Sequence, residues 1–196
     1  MIRQTLHHFR KLPTNLRTSL SHHLLSPRTI LSELKVEEGD TILELGNPVG
    51  FFAAAGLTAV GKPGRFIVAG PNEESFDRIA HLKHHPQLEE VLLAEVLMNR
   101  AFDHHSADWI ILTNVLSSSL YPDQFCLSIG SYLKPDGKVV LLDWKADQAA
   151  GPEAQRRIDS EQAIRLLTDC GLVFETTLKT PGSHYGLVFK AGTTVK

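Results

Sequence analysis

The sequence is poor in sulfur, with only two cysteines and two methionines among its 196 residues. Cys126 and Cys170 are far apart and form neither a CxxC metal pair nor a disulfide framework. We interpret them as two reduced thiols, which favours a reducing, intracellular setting. The neighbouring histidines at 7–8 and 22–23 would point away from each other on a helix, so no metal site is predicted.

Long apolar runs are also missing, and this absence excludes a transmembrane segment because a helix needs about 20 apolar residues to cross a bilayer. The length suits one domain with a substantial buried core. A net charge of −2 gives no strong nucleic-acid signal. The expected location is cytoplasmic.

No acidic residue occurs before Glu33, whereas this stretch carries Arg3, Arg10, Lys11, Arg17 and Arg28. Leucines at 16, 20 and 24 recur at helical spacing. Residues 1–24 are therefore predicted to form a basic N-terminal helical arm that precedes a domain at 25–196. Three roles remain open: an arm packed on the domain, a contact of residues 1–32 with an anionic or membrane surface, and an organellar transit segment.

Short β-branched and apolar runs alternate with helical patterns along the rest of the chain. The predicted strands are 41–45, 64–69, 91–96, 109–112, 139–142, 173–177 and 185–189. Helices are expected from Ser26, at 51–61, from Asn72 to before Pro86, at 122–133 and from Asp159 to Gly171. A turn is expected at 134–137.

This alternation predicts an α/β fold, Rossmann-like and doubly wound. Its seven-stranded sheet is expected to be mostly parallel, with helices on both faces. Only a short connection, 179–184, joins the last two strands. A parallel crossover needs a dozen residues or more, so the last strand is predicted to be antiparallel.

The turn after the first strand reads Glu44-Leu45-Gly46-Asn47-Pro48-Val49-Gly50. It does not match the dinucleotide fingerprint Gly-x-Gly-x-x-Gly. Pro48 also removes an N–H group that a pyrophosphate at a helix N-terminus would use. NAD is therefore disfavoured.

The pattern Glu-x-Gly-x-x-x-Gly-Phe-Phe after a strand resembles motif I of the class I S-adenosylmethionine (SAM)-dependent methyltransferases. The segment 107–116 resembles motif IV, and Leu-Lys-Pro-Asp-Gly at 133–137 is similar to the turn before the family's fifth strand. Segments 25–31 and 36–40 resemble the family's lead-in helix and turn. Residues 143–145, 151–152, 157–158 and 184–189 resemble the ubiquinone/menaquinone-biosynthesis-like (type 11) branch.

This resemblance implies SAM as the cofactor and assigns roles to particular residues. Glu44 would orient the loop and approach the amino end of SAM. Backbone at Gly46, Asn47 and Gly50 would pass close to its methionine and ribose parts. Asn114, at the end of the fourth strand, would lie near the methionine moiety through its backbone, and Glu95 is a candidate for the acid near the adenine amino group.

Two positions depart from the family pattern. Pro48 replaces the middle glycine of the loop. The acid that would bind both ribose hydroxyls falls on Gly70, with Asn72 or Glu73 as substitutes. Losing a charge-assisted hydrogen bond to the ribose costs about 1.5–3 kcal/mol of binding free energy. The cofactor loop is thus degenerate relative to the family pattern, and weakened or lost SAM binding is an alternative.

Catalytic motifs such as Gly-x-Ser-x-Gly and His-Glu-x-x-His are absent. Methyl transfer needs little more than positioning, because SAM carries its own leaving group. Asp143, His184 and Tyr185 are the catalytic candidates, and Lys145 could contact an anionic acceptor. The sequence favours a SAM-dependent methyltransferase acting on a small or lipid-like acceptor; the alternative is a non-catalytic methyltransferase-like binding or assembly module.

Overall fold

The computed structural model describes residues 25–117, 122–147, 151–180 and 182–192. The predicted helical arm at 1–24 lies outside the described residues. The first described helix, α1 (Pro27–Leu34), begins as expected, because the Ser26 side chain accepts a hydrogen bond from Thr29 N at 3.3 Å. No helix in the described ranges is long and apolar enough to span a bilayer.

Seven strands form one sheet in the order β3-β2-β1-β4-β5-β7-β6. Their bounds are β1 Thr41–Gly46, β2 Arg65–Gly70, β3 Leu88–Leu92, β4 Ala107–Thr113, β5 Leu133–Trp144, β6 Leu172–Leu178 and β7 His184–Ala191. The first five strands pair in parallel, and β7 lies antiparallel between β5 and β6. The predicted seven-stranded sheet with an antiparallel last strand is confirmed.

Helices cover both faces of this sheet. The other α-helices are α2 (Ala53–Val60), α3 (Leu93–Leu97), α4 (Pro122–Gly130) and α5 (Ser160–Asp169), and two 3₁₀ helices occupy Glu73–Leu82 and Ala154–Arg156. One buried cluster joins α3, α4 and α5 to the sheet. The other joins α1, α2 and the longer 3₁₀ helix to the opposite face. Alternate strand residues supply the two clusters, since successive side chains of a strand point to opposite faces.

Strand order reverses between β1 and β4, which lie side by side although β2 and β3 separate them in the chain. Ligands of open α/β sheets bind at such a point, outside the carboxyl ends of the strands. The loop after β1 and the residues after β4 are therefore the part of the fold where a site is expected.

The predicted third strand was wrong in its position. It was expected at 91–96, but β3 is Leu88–Leu92 and the next residues are helical. Leu93, Val96 and Leu97 have helical spacing and are buried, and the Glu95 carboxylate accepts a hydrogen bond from Leu92 N at 3.3 Å. Burial on one helical face and this cap explain the change from strand to helix.

Two further expectations differ in detail. The helix predicted after Asn72 does begin with an Asn72 cap, but it is a 3₁₀ helix. The turn predicted at 134–137 lies inside β5, where the pairing register with β4 shifts between Ala107 and Trp109. The predicted turn is thus a β-bulge or similar irregularity within a longer strand.

Candidate functional site

The loop after β1 (residues 46–52, the β1 loop) lies at the reversal of strand order. Its peptide bond Asn47–Pro48 is cis. Asn47 N donates to Thr113 O at 2.9 Å, which fastens the loop to the end of β4. At Gly50 φ is +73°, and a Cβ atom would lie 2.3 Å from Ile79 Cγ2. Both the conformation and the close approach therefore require glycine here.

Substitution of Gly50 by alanine is expected to destabilise the protein by about 2–4 kcal/mol, because it adds a left-handed conformation to an overpacked contact. Urea unfolding measures this difference. Gly130→Ala is the matched control, since a Cβ atom there meets nothing within 4 Å. Equal stability of the two variants would contradict the packing described for the β1 loop.

Glu44 is the one acidic side chain of this loop region that is completely buried, with 0% exposure. Its Oε1 accepts a hydrogen bond from Phe52 N at 3.1 Å. Its Oε2 is buried and has no hydrogen-bond partner within the described ranges. Burial raises the pKa of Glu44 from 4.5 to about 8 despite the backbone hydrogen bonds. The side chain is therefore largely neutral at pH 7, and one of its oxygens is unpaired.

Asn114 connects the β1 loop to β7. It follows β4 and has a left-handed backbone with φ of 56°. Its Nδ2 donates to Asn47 O at 2.9 Å, and its Oδ1 lies 3.0 Å from His184 Nε2. His184 is completely buried, and its ring lies 4.2 Å from the ring of Trp144. The predicted site residues Asn47, Asn114 and His184 thus form one continuous polar chain.

Asp143 and Tyr185 lie opposite each other on β5 and β7. Asp143 is 1% exposed and accepts hydrogen bonds from Leu116 N at 3.0 Å and Trp144 N at 2.8 Å. Burial raises the pKa of Asp143 to about 6 and also raises the pKa of Tyr185, whose hydroxyl donates to Ile158 O at 2.9 Å. These polar groups bond to the protein's own backbone, and their catalytic roles stay predictions.

The carboxyl end of β2 has no room for a side chain. A Cβ atom on Gly70 would lie 2.2 Å from Ser75 Oγ and 2.8 Å from Phe76 Cε1. Asn72 Oδ1 accepts from Ser75 N at 3.0 Å and so caps the 3₁₀ helix. Glu95, beyond β3, is exposed and caps α3. The structure brings the β1 loop and Asn114 together, while Asn72 and Glu95 make local capping contacts.

Ser75 and Phe76, which fill the space beside Gly70, were not among the site residues predicted from the sequence. The capping pattern at Asn72 was the available signal, since it places the residue three positions later against the cap. The contact between Asn114 and His184 joins residues that are 70 positions apart in the sequence, and local sequence patterns do not predict such long-range contacts.

This architecture matches solved structures. A SAM-dependent methyltransferase from Aquifex aeolicus is 19% identical over 95% of this chain and 98% of its own, with a TM-score of 0.78. A protein described as a type 11 methyltransferase from Sulfolobus solfataricus is 20% identical over 88% and 96%, with a TM-score of 0.72.

The chain has the class I methyltransferase fold. A further structure with this fold is the 1,6-didemethyltoxoflavin-N1-methyltransferase of Burkholderia thailandensis, which contains 1,6-didemethyltoxoflavin and S-adenosylhomocysteine. It is 16% identical over 97% of this chain and 85% of its own, with a TM-score of 0.67. No family model and no curated protein matches the sequence. The similarity is therefore one of methyltransferase fold.

Proposed function

We propose that the protein is a SAM-dependent methyltransferase that transfers a methyl group to a small or lipid-like acceptor. The observation that carries the proposal is the unpaired, buried Oε2 of Glu44 beside the glycine-containing β1 loop. In this fold the loop lies where the strand order reverses. A buried carboxyl group with a free oxygen there is suited to a cationic ligand, because a positive charge would favour its ionised form.

The residues present fit the amino-acid end of SAM. Glu44 supplies a carboxyl group that can pair with an ammonium group. Gly46 keeps the loop open to a ligand, since a Cβ atom would crowd Pro48 O at 3.2 Å and Glu44 Oε1 at 3.3 Å. When bound, SAM supplies an activated methyl group on a sulfonium centre. The protein's own contribution is to orient that centre and the acceptor.

The ribose end of SAM would lack the carboxylate that the family pattern places at the end of β2. Gly70 offers no carboxylate, and the Ser75 and Phe76 side chains occupy the space where one would begin. Asn72 Oδ1 already accepts the capping hydrogen bond from Ser75 N, which leaves the Asn72 Nδ2 amide group to donate to a hydroxyl. Glu73 follows it and is exposed. We therefore assign the ribose contact to Asn72 and Glu73.

The acceptor side is assigned to the carboxyl end of β5 and the neighbouring amino end of the antiparallel β7. Lys145 lies there, with its Nζ donating to Gly182 O at 2.9 Å, and can contact an anionic acceptor. If the acceptor must lose a proton, Asp143 is the carboxyl group placed to take it, because burial raises its pKa to about 6, close to neutrality. Its carboxylate would first have to exchange a backbone hydrogen bond for the acceptor.

A second candidate function rests on the same departures. Pro48 in the loop and the filled space beside Gly70 are what a methyltransferase-like binding or assembly module without SAM would also show. The unpaired Glu44 Oε2 argues against it, because a buried carboxyl oxygen without a hydrogen-bond partner is costly to keep where no ligand uses it.

Calorimetric titration with SAM and S-adenosylhomocysteine tests the proposal. We expect both to bind the wild type, and Glu44→Gln to weaken SAM binding tenfold to a hundredfold through loss of a charge-assisted hydrogen bond. The control is Glu90→Gln, which removes a carboxylate paired with Lys83 away from the loop. If neither ligand binds the wild type, the enzyme proposal fails and the non-catalytic module takes its place.

A further inference from the structure

The side chain of His184 contacts another predicted site residue, because its Nε2 lies 3.0 Å from Asn114 Oδ1. It is 0% exposed, and its ring faces Trp144 on the paired strand. Both nitrogens of this buried imidazole lie within hydrogen-bond distance of protein side chains, Ser183 Oγ and Asn114 Oδ1. Its hydrogen bonds therefore indicate what it does.

The donor and the acceptor of each hydrogen bond in this series follow from its last member, the carbonyl oxygen of Asn47. Asn47 O is a backbone carbonyl and can only accept, so the Asn114 group facing it must be the amide nitrogen. Asn114 Oδ1 then faces His184 Nε2, which must carry the hydrogen. A neutral ring consequently has an unprotonated Nδ1, which accepts from Ser183 Oγ at 3.2 Å.

The Asn114 side chain is held at its two polar ends, by Asn47 O at Nδ2 and by His184 Nε2 at Oδ1. Its side chain stands between β4 and the β1 loop, on a residue with a left-handed backbone. The backbone of His184 is itself held, because Thr180 Oγ1 donates to His184 O at 2.6 Å. His184, at the start of β7, thus holds the Asn114 side chain, which in turn holds the carbonyl of Asn47.

We propose that His184 is a positioning residue that fixes the β1 loop through Asn114, and that it does not act as a base. Its importance for SAM rests on the proposed function, whereas its effect on the loop does not. The carbonyl of Asn47 is held by Asn114 while the amide of the same residue donates to Thr113 O, so both backbone polar groups of Asn47 are held before any ligand arrives.

Hydrogen exchange of the ligand-free protein tests the proposal. The amide of Asn47 donates to Thr113 O and the amide of Phe52 donates to Glu44 Oε1, so both report on the loop. His184→Phe keeps a ring against Trp144 and removes both hydrogen bonds. We expect exchange at these amides to rise about tenfold, the effect of losing roughly one hydrogen bond.

His184→Gln should restore most of the protection, because its amide nitrogen can replace Nε2 as donor. His105→Phe is the matched control; its Nδ1 contacts Leu133 O, and exchange in the loop should not change. Asn114→Gly keeps the left-handed backbone and removes the side chain that contacts both His184 and Asn47. It should raise exchange as much as His184→Phe does, and the double variant should add nothing, because His184 acts through Asn114.

Unchanged exchange at Asn47 and Phe52 in His184→Phe would overturn the proposal, and so would additive effects in the double variant. If His184→Phe does not fold, Asn114→Gly and the ring nitrogen shifts of wild-type His184 decide, since the proposal requires a hydrogen on Nε2. SAM titration is a separate readout: altered exchange with no SAM binding to the wild type would support the positioning role and refute the proposed enzyme.

Discussion

Gly70→Asp is expected to destabilise the protein by roughly 3–5 kcal/mol and to leave SAM binding no tighter, although it restores the acid of the family pattern. The reason is steric and electrostatic. Its Cβ would lie 2.2 Å from Ser75 Oγ, and its carboxylate would enter a buried position beside the ring of Phe76. Overpacking costs about 1–3 kcal/mol, and an unpaired buried charge adds to it. Urea unfolding and calorimetry measure the two effects.

Gly130→Asp provides the control for adding the same side chain in open space, where no atom lies within 4 Å of the new Cβ. Ser75→Ala combined with Gly70→Asp should recover part of the lost stability, because it removes the closest atom. A Gly70→Asp protein as stable as the wild type that binds SAM more tightly would show that the end of β2 is open to a carboxylate.

Replacement of Glu44 by glutamine is expected to remove a pH dependence of stability. Because the folded-state pKa of Glu44 is about 8 and the ordinary value is 4.5, the folded state holds a proton that the unfolded state has released between these values. The free energy of unfolding of the wild type should therefore fall as pH rises from 4.5 to 8, on the order of 1.4 kcal/mol for each pH unit.

The interval from pH 6.5 to 8 separates Glu44 from Asp143, because the corresponding window for Asp143 runs from 3.8 to about 6. Urea unfolding at the two ends of this interval should show a clear decrease for the wild type and a smaller one for Glu44→Gln. The glutamine keeps an oxygen for Phe52 N, so the variant should fold. Parallel pH profiles for the two proteins would mean that Glu44 is already ionised or is solvated.

Sequence patterns predicted the layers of this fold well. Alternation of short apolar runs with helical segments gave the sheet, and the short connection before β7 gave its antiparallel strand. The bounds of an element were harder to predict where an apolar run was compatible with both a strand and a helix. Leu93–Leu97 shows this, because burial and the Glu95 cap decided for a helix that the sequence analysis had included in a strand.

Site residues could be predicted from the sequence where they adjoin a predicted strand. Glu44 and the glycines of the β1 loop follow directly from the strand that precedes them. The filled space at Gly70 and the bridge from His184 to Asn114 depend on side chains that meet only after folding. The contact of residues 1–32 with an anionic surface, the type 11 branch and the cytoplasmic location remain predictions.

Proton release on SAM binding tests the central claim most directly, because it reports both binding and the involvement of Glu44. Titrations at pH 6.5 in two buffers of different ionisation enthalpy give the number of protons released. At this pH an α-amino group, with a pKa of about 7.7–8.0, is already protonated, so it adds little. The account predicts that about one proton leaves per SAM bound in the wild type and none in Glu44→Gln, because Glu44 is protonated in the free protein and ionised beside a cation. Binding without proton release, or no binding at all, would contradict it.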